Sequence, residues 1–257
     1  SFPTRRSSDL NKLGWGHRVQ NEVGKSMKLL INVCVRLCCF FFIATMGHSV
    51  LAADRAGVIL KVSGQVTIVS AAGEVREAAR KGAVQVGDTL KTADKAQVFV
   101  RMLDKTRMIV RENSEVLIEA FVYEKRDTDK QSTSLLKGAL RSISGEIGKR
   151  TPKNVNYKAA TATIGIRGTD IDVAIIGDGQ ADRAGVYNYV RDGKTEVALA
   201  TGERALVEKE KAGFVPDNPK PGEPLLQILD DRPAFLSNSG FDTLMNQLTN
   251  VRVPSIR

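Results

Sequence analysis

Arg167 is the residue with the most chemistry to offer in this chain. It stands in residues 161–173, TATIGIRGTDIDV, between Gly165 and Gly168, with Thr163, Thr169 and Asp170 close by. A guanidinium carries five donors in a planar fork, stays charged, and can grip a carboxylate through two parallel hydrogen bonds. Asp170 and Asp172 are near enough in sequence to accept from it. Two roles fit these residue types. Arg167 braces its own strand by bonding internal carbonyls or carboxylates, or it meets a partner or an acidic ligand. Thr163, Gly165, Arg167, Gly168, Thr169 and Asp170 are therefore the candidate partner-binding or structural motif.

The apolar period around Arg167 changes parity. Ile164 and Ile166 share one face of a strand, and Thr169, Ile171, Val173 and Ile175 share the other. One extra residue between the two sets restores a single apolar face. A β-bulge supplies such a residue, and glycine is the residue it favours. The pattern predicts a bulge at Gly168 that re-aims Arg167.

Other reactive side chains are scarce. Cys34, Cys38, Cys39, His17, His48 and Trp15 all precede residue 54, and no Cys, His or Trp follows it. The remainder of the chain thus lacks the residues of Ser-His-Asp and Cys-His nucleophile systems and the usual zinc ligands. Carboxylate pairs remain, Asp170 with Asp172 and Asp230 with Asp231, but spacing alone does not set two acids across a cleft. Residues 178–182, DGQAD, hold two carboxylates, too few for a calcium loop, and read better as a hairpin turn. The expectation is a chain without enzymatic activity, cofactor or metal.

The segments that must position Arg167 begin after a leader. Residues 1–10, SFPTRRSSDL, have no apolar period and resemble the translation of a sequencing-library adapter. Residues 1–26 are expected to be adapter and read-through. From Met27, Lys28 and Arg36 form a positive n-region, residues 37–46 an apolar h-region, and Ala52 and Ala53 a cleavage site. Residues 27–53 thus have the layout of a cleaved signal peptide, and Arg36 interrupts the roughly 20 apolar residues a membrane span needs. The expected location is the periplasm. The whole sequence has a net charge of +9, but 31 basic and 27 acidic residues follow Ala53, a net of +4. That balance gives little support for nucleic-acid binding.

From Gly57 the chain alternates in short stretches punctuated by glycine. Residues 58–62 and 65–69 read as a hairpin across Ser63-Gly64. Strands follow at 89–92, 97–101, 107–111 and 115–122, with a turn at Asp104-Lys105. Residues 123–134 are polar and read as an exposed loop, 135–144 resume a strand, and 145–157 are a polar connector broken by Pro152. Later strands fall at 186–191, 194–200, 204–208 and 213–215, with hairpin dipeptides Asp178-Gly179 and Asp192-Gly193. The fold class is all-β, an antiparallel strand-rich sandwich or stacked β-roll over residues 54–215. A Pro-rich linker, 216–224, leads to a tail, 225–257, with short C-terminal helices. These are placed at Leu225, Leu226, Ile228 and Leu229, and at 242–248 with Phe241, Leu244, Met245 and Leu248 at helical spacing. Docking of such a tail on the sheets is favoured over its binding a partner.

Residues 162–169, ATIGIRGT, resemble the signature segment of FecR-domain proteins. Residues 86–92, VGDTLKT, are similar to that family's Gly-Asp segment, and 136–141, LKGALR, to its short Leu-x-x-Gly motif. The resemblance implies a periplasmic, non-enzymatic β-rich module. Well-known members relay a signal from an outer-membrane receptor to a sigma factor, using a cytoplasmic segment and a membrane helix. Here a signal-peptide layout stands in that place, so the resemblance implies a secreted sensing or scaffolding module instead. The expected partner is another envelope protein, such as a membrane receptor, a kinase or cyclase, or a secretion component, met by β-edge pairing. A polysaccharide or peptidoglycan is the alternative ligand. Sugar sites usually need aromatic platforms, and the nearest candidates, Tyr187 and Tyr189, share a strand face where sheet packing is favoured.

Overall fold

A computed structural model describes residues 54–236. The first eight strands are β1 (Arg55–Ser63), β2 (Val66–Val69), β3 (Val75–Glu77), β4 (Ala83–Gln85), β5 (Thr89–Thr92), β6 (Gln97–Met102), β7 (Arg107–Val110) and β8 (Glu115–Val122). The long strand β9 (Lys130–Ile143) follows, then helix α1 (Glu146–Arg150) and a 3-10 turn at Pro152–Asn154. The chain continues with β10 (Val155–Ala159), β11 (Ala162–Ile166), β12 (Asp170–Ile176), β13 (Gly185–Asp192), β14 (Thr195–Leu199), β15 (Arg204–Val207), β16 (Ala212–Pro216) and β17 (Gln227–Leu229).

These strands form two layers. A front sheet runs β3–β2–β5–β8–β9–β10–β11–β14–β15. A back sheet runs β4–β1–β6–β7–β9–β12–β13–β16–β17. Strand β9 is the middle strand of both. Its first half pairs in the front sheet up to Lys137, and its second half pairs in the back sheet from Gly138 onward. Gly138 makes the crossing with φ +78°, and a Cβ there would lie 2.2 Å from Ser114 Oγ and 2.7 Å from Ser114 Cα. The strand pairs are antiparallel except β9 with β10, which α1 and the 3-10 turn connect as a crossover.

Alternation explains the core. Ile68, Leu90, Ile118, Ile164 and Val197 point inward from the front sheet and meet Ile59, Val98, Met108, Leu140 and Val173 from the back sheet. Each fully buried Leu or Ile contributes about 1.5–3 kcal/mol by leaving water. Helix α1 has only five residues and is held by tertiary bonds. Ile147 is buried in the core. Asp104 at the β6–β7 turn accepts from Thr106 N at 2.9 Å, Thr106 Oγ1 at 2.9 Å and Ile147 N at 3.3 Å, and its backbone carbonyl accepts from Glu146 N at 2.7 Å. Burial raises the Asp104 pKa, and the bonds from Thr106 and Ile147 oppose that rise only in part. The pinned helix fixes where the 3-10 turn leaves for β10.

Several local expectations change in three dimensions. Strands β1 and β2 do not form a hairpin: β1 lies in the back sheet, β2 in the front sheet, and Ser63-Gly64 is the corner between them. Asp192-Gly193 is likewise a corner, from β13 to β14, whereas Asp178-Gly179 lies in the loop of a true β12–β13 hairpin. A tight turn sets a change of direction, not the sheet its second strand joins. The loop expected at 123–134 ends earlier, because Lys130–Ser134 already pair with β8 and β10. The helical turn expected at Leu225–Leu229 is instead β17, which completes the open edge of β16. The second tail helix, 242–248, lies outside the described residues. No helix among the described residues is long and apolar enough to cross a membrane.

Candidate ligand-binding groove

The signature segment is one turn between two sheets. Strand β11 ends at Ile166 in the front sheet and β12 begins at Asp170 in the back sheet. The parity change is real, but its device is a corner rather than a bulge in one strand. Gly168 sits at that corner with φ +65°, a conformation glycine adopts without strain. Gly193 lies against it: a Cβ on Gly193 would be 2.7 Å from the Gly168 carbonyl oxygen.

This corner divides the six candidate residues. Thr169 is 3% exposed, and its N–H donates to Ser144 Oγ at 2.9 Å while its carbonyl accepts from the same hydroxyl at 2.9 Å. Asp170 faces the other layer, where Arg141 Nε donates to it at 2.9 Å and Arg141 Nη2 at 2.6 Å. Asp172 accepts from Arg191 Nε at 2.6 Å, and burial raises its pKa despite the nearby arginines. The two aspartates expected to hold Arg167 are therefore bound by other arginines. Arg167 is 58% exposed, and its Nη2 lies 3.9 Å from Glu196 Oε2. Its ion pair is with this carboxylate of the neighbouring strand β14 and not with either aspartate.

Thr163, Gly165 and Arg167 instead line one groove of about 550 Å³ on the outer face of the front sheet. The sheet register builds it. Asn156, Gly165 and Glu196 form one cross-strand row, and Lys158, Thr163, Ala198 and Arg204 form the next. Gly165 and Ala198 leave the floor low. Arg150, Pro152 and Lys153, from α1 and the 3-10 turn, line it together with Arg167 from the β11–β12 corner and Arg204 from β15. Arg150 is fixed by Asp129 and by a 2.8 Å bond to the Arg126 carbonyl. Burial works to raise the Asp129 pKa, but the N–H groups of Glu124 and Arg126, with Arg150, hold it below the usual carboxylate range. Arg204 Nη1 contacts Glu196 Oε1 at 3.2 Å. Among the lining residues, Glu196 is the one carboxylate beside four cationic side chains.

Beside the groove, Glu119 accepts from Ser132 at 2.7 Å, from Ser134 at 2.6 Å and from Lys158 at 2.8 Å. Partial burial raises its pKa, but these donors win and hold it at about 2. Sequence reasoning reached Thr163, Gly165 and Arg167 but not Lys153, Asn156, Glu196 or Arg204. Outward alternation of Glu196, Ala198 and Arg204 was readable; the adjacency of β10, β11, β14 and β15 was not.

Tyr187 and Tyr189 are 6% and 8% exposed on the outer face of the back sheet. Tyr187 stacks on Phe214 at 4.5 Å between centroids and meets Phe235 edge-on at 5.1 Å. They pack; they do not form an open platform.

No curated protein matches this chain. Two crystal structures of a candidate anti-sigma factor from Parabacteroides distasonis are similar to it. The first is 12% identical, with a TM-score of 0.42 over 56% of this chain and 59% of that one. The second is 12% identical, with a TM-score of 0.44 over 62% of this chain and 72% of that one. The chain thus spans about three fifths of the length of the first. The family described as FecR protein matches residues 88–203, a span that runs from the start of β5 past the end of β14 and holds β9, α1 and the Arg167 corner. Over those residues the chain carries a FecR domain.

Proposed function

We propose that this chain is a non-enzymatic sensing or signal-relay module of the cell envelope, exported to the periplasm by residues 27–53, and that it acts by binding another envelope protein. The FecR domain supports the signalling role. The observation that carries the binding site is the groove: Thr163, Gly165 and Arg167 of the signature segment meet there on an open sheet face. Arg167 keeps more than half its surface exposed and is not consumed by internal bonding. A sugar-binding reading finds less support, since no aromatic ring lines the groove and Tyr187 and Tyr189 are buried.

The test compares wild-type protein with Arg167→Glu as bait in a periplasmic extract, beside sedimentation with isolated cell wall. The expected result is reproducible recovery of one envelope protein by the wild type and its loss with the variant. Sedimentation with cell wall and no captured protein would overturn the reading.

A further inference from the structure

The groove combines charge, shape and chemistry that select a ligand. Two guanidiniums, Arg167 and Arg204, share the Glu196 carboxylate at 3.9 and 3.2 Å, yet their side chains are 58% and 69% exposed. Each guanidinium has five donors, so one shared carboxylate leaves most of the two forks open to another acid. Lys153, exposed on the 3-10 turn, adds a point charge to the lining.

The floor is bare for a reason the backbone does not supply. Gly165 lacks a positive φ, and a Cβ built on it would come no closer than 3.8 Å to Asn156 Oδ1 or the Glu196 carbonyl oxygen. A larger residue would fit the strand, and a β-branched one would suit it better. Glycine here keeps the trough open. Asn156 and Thr163 bring amide and hydroxyl groups to the same surface, suited to hydrogen bonding with peptide groups.

We infer that the groove binds an extended acidic peptide segment of a protein partner. This rests on the reading that the Arg167 face is a protein-docking face, and it adds the chemistry of what docks. In an extended chain every second side chain faces the same way, so alternating carboxylates reach the cationic rim together. Polyanionic sugars and nucleic acids fit less well. Both draw on aromatic stacking, which the groove lacks, and Glu196 opposes a dense phosphate backbone.

The experiment is a fluorescence-anisotropy titration of the purified protein with a labelled peptide of about eight residues alternating Glu and Ala. Controls are the same peptide with Lys for Glu, an oligogalacturonate and single-stranded DNA of similar charge. Variants are Arg167→Glu, Gly165→Val, which fills the floor without changing charge, and Lys153→Glu, which lies outside the sheets. Thermal melts establish that each variant is folded. The Glu peptide should bind, and at least about tenfold more weakly to each folded variant. The Lys peptide should not bind. No binding of the Glu peptide, equal binding by every variant, or equal groove-dependent binding of the sugar or DNA overturns the inference. An envelope partner captured through Arg167 while the Glu peptide fails leaves the docking role standing and removes the acidic-peptide ligand. Peptide binding with no captured partner does the reverse.

Discussion

At the scale of single residues, identity and position carry separate information. Arg167 was legible as the residue with the most to offer from its type and its glycine neighbours, with a bracing role and a binding role both open; in the fold its side chain stands exposed. Its supposed partners were not legible. Asp170 is three residues away in sequence but lies across a corner, on the other layer, with Arg141. Glu196 is distant in sequence and close in space, because β14 pairs with β11. Glu119 shows the same logic with a pH consequence. Donors from Lys158, Ser134 and Ser132 hold its pKa near 2, below its ordinary 4.5, despite the opposing effect of burial. A folded-state pKa below the unfolded one stabilises the fold fully above pH 4.5 and loses that contribution as pH falls toward 2. Glu119→Gln should therefore be less stable than wild type at neutral pH, with the gap closing across that window. Urea midpoints measured through the window check this, and a gap constant with pH would contradict it.

At the scale of elements, strand positions were readable and strand partners were not. The alternation at 89–92 and 115–122 coincides with β5 and β8. The first half of β9 escaped notice because its inward positions, Gln131 and Thr133, are polar. Gln131 is accommodated by donating to the buried Tyr157 hydroxyl at 3.1 Å, which only the fold reveals. Residues 225–229 misled for a different reason: four apolar residues in five fit a helix or a strand, and the open edge of β16 decides. The crossing in β9 depends on one position. A side chain at Gly138 meets both a left-handed backbone and Ser114 within 2.7 Å. Gly138→Ala is expected to cost about 2–5 kcal/mol, the sum of backbone strain and overpacking. Chemical denaturation measures it, and a loss below about 0.5 kcal/mol, typical of a neutral surface change, would show that β9 crosses by another route.

At the scale of the whole molecule, the sandwich or roll was legible from strand density and turn spacing, while its organisation about β9 was not. That strand separates β1–β8 from β10–β17 in both layers. A chain ending at Asp129 keeps eight strands but leaves β7 and β8 with open inner edges, a state that invites aggregation. It should show no cooperative thermal unfolding by circular dichroism; a sharp transition would mean that the first half folds by itself. The two ends of the described chain are also held unequally. Strand β1 is paired on both sides, with β4 and β6, whereas β17 rests on β16 through three residue pairs at the rim of the back sheet. Under mechanical load between residues 54 and 236, β17 is expected to peel first, taking Phe235 off the Tyr187 ring while the Tyr187–Phe214 stack, held by the β13–β16 pairing, and the Arg167 groove on the opposite layer stay whole. The chain can lengthen at that end under tension without disturbing the shape of the groove.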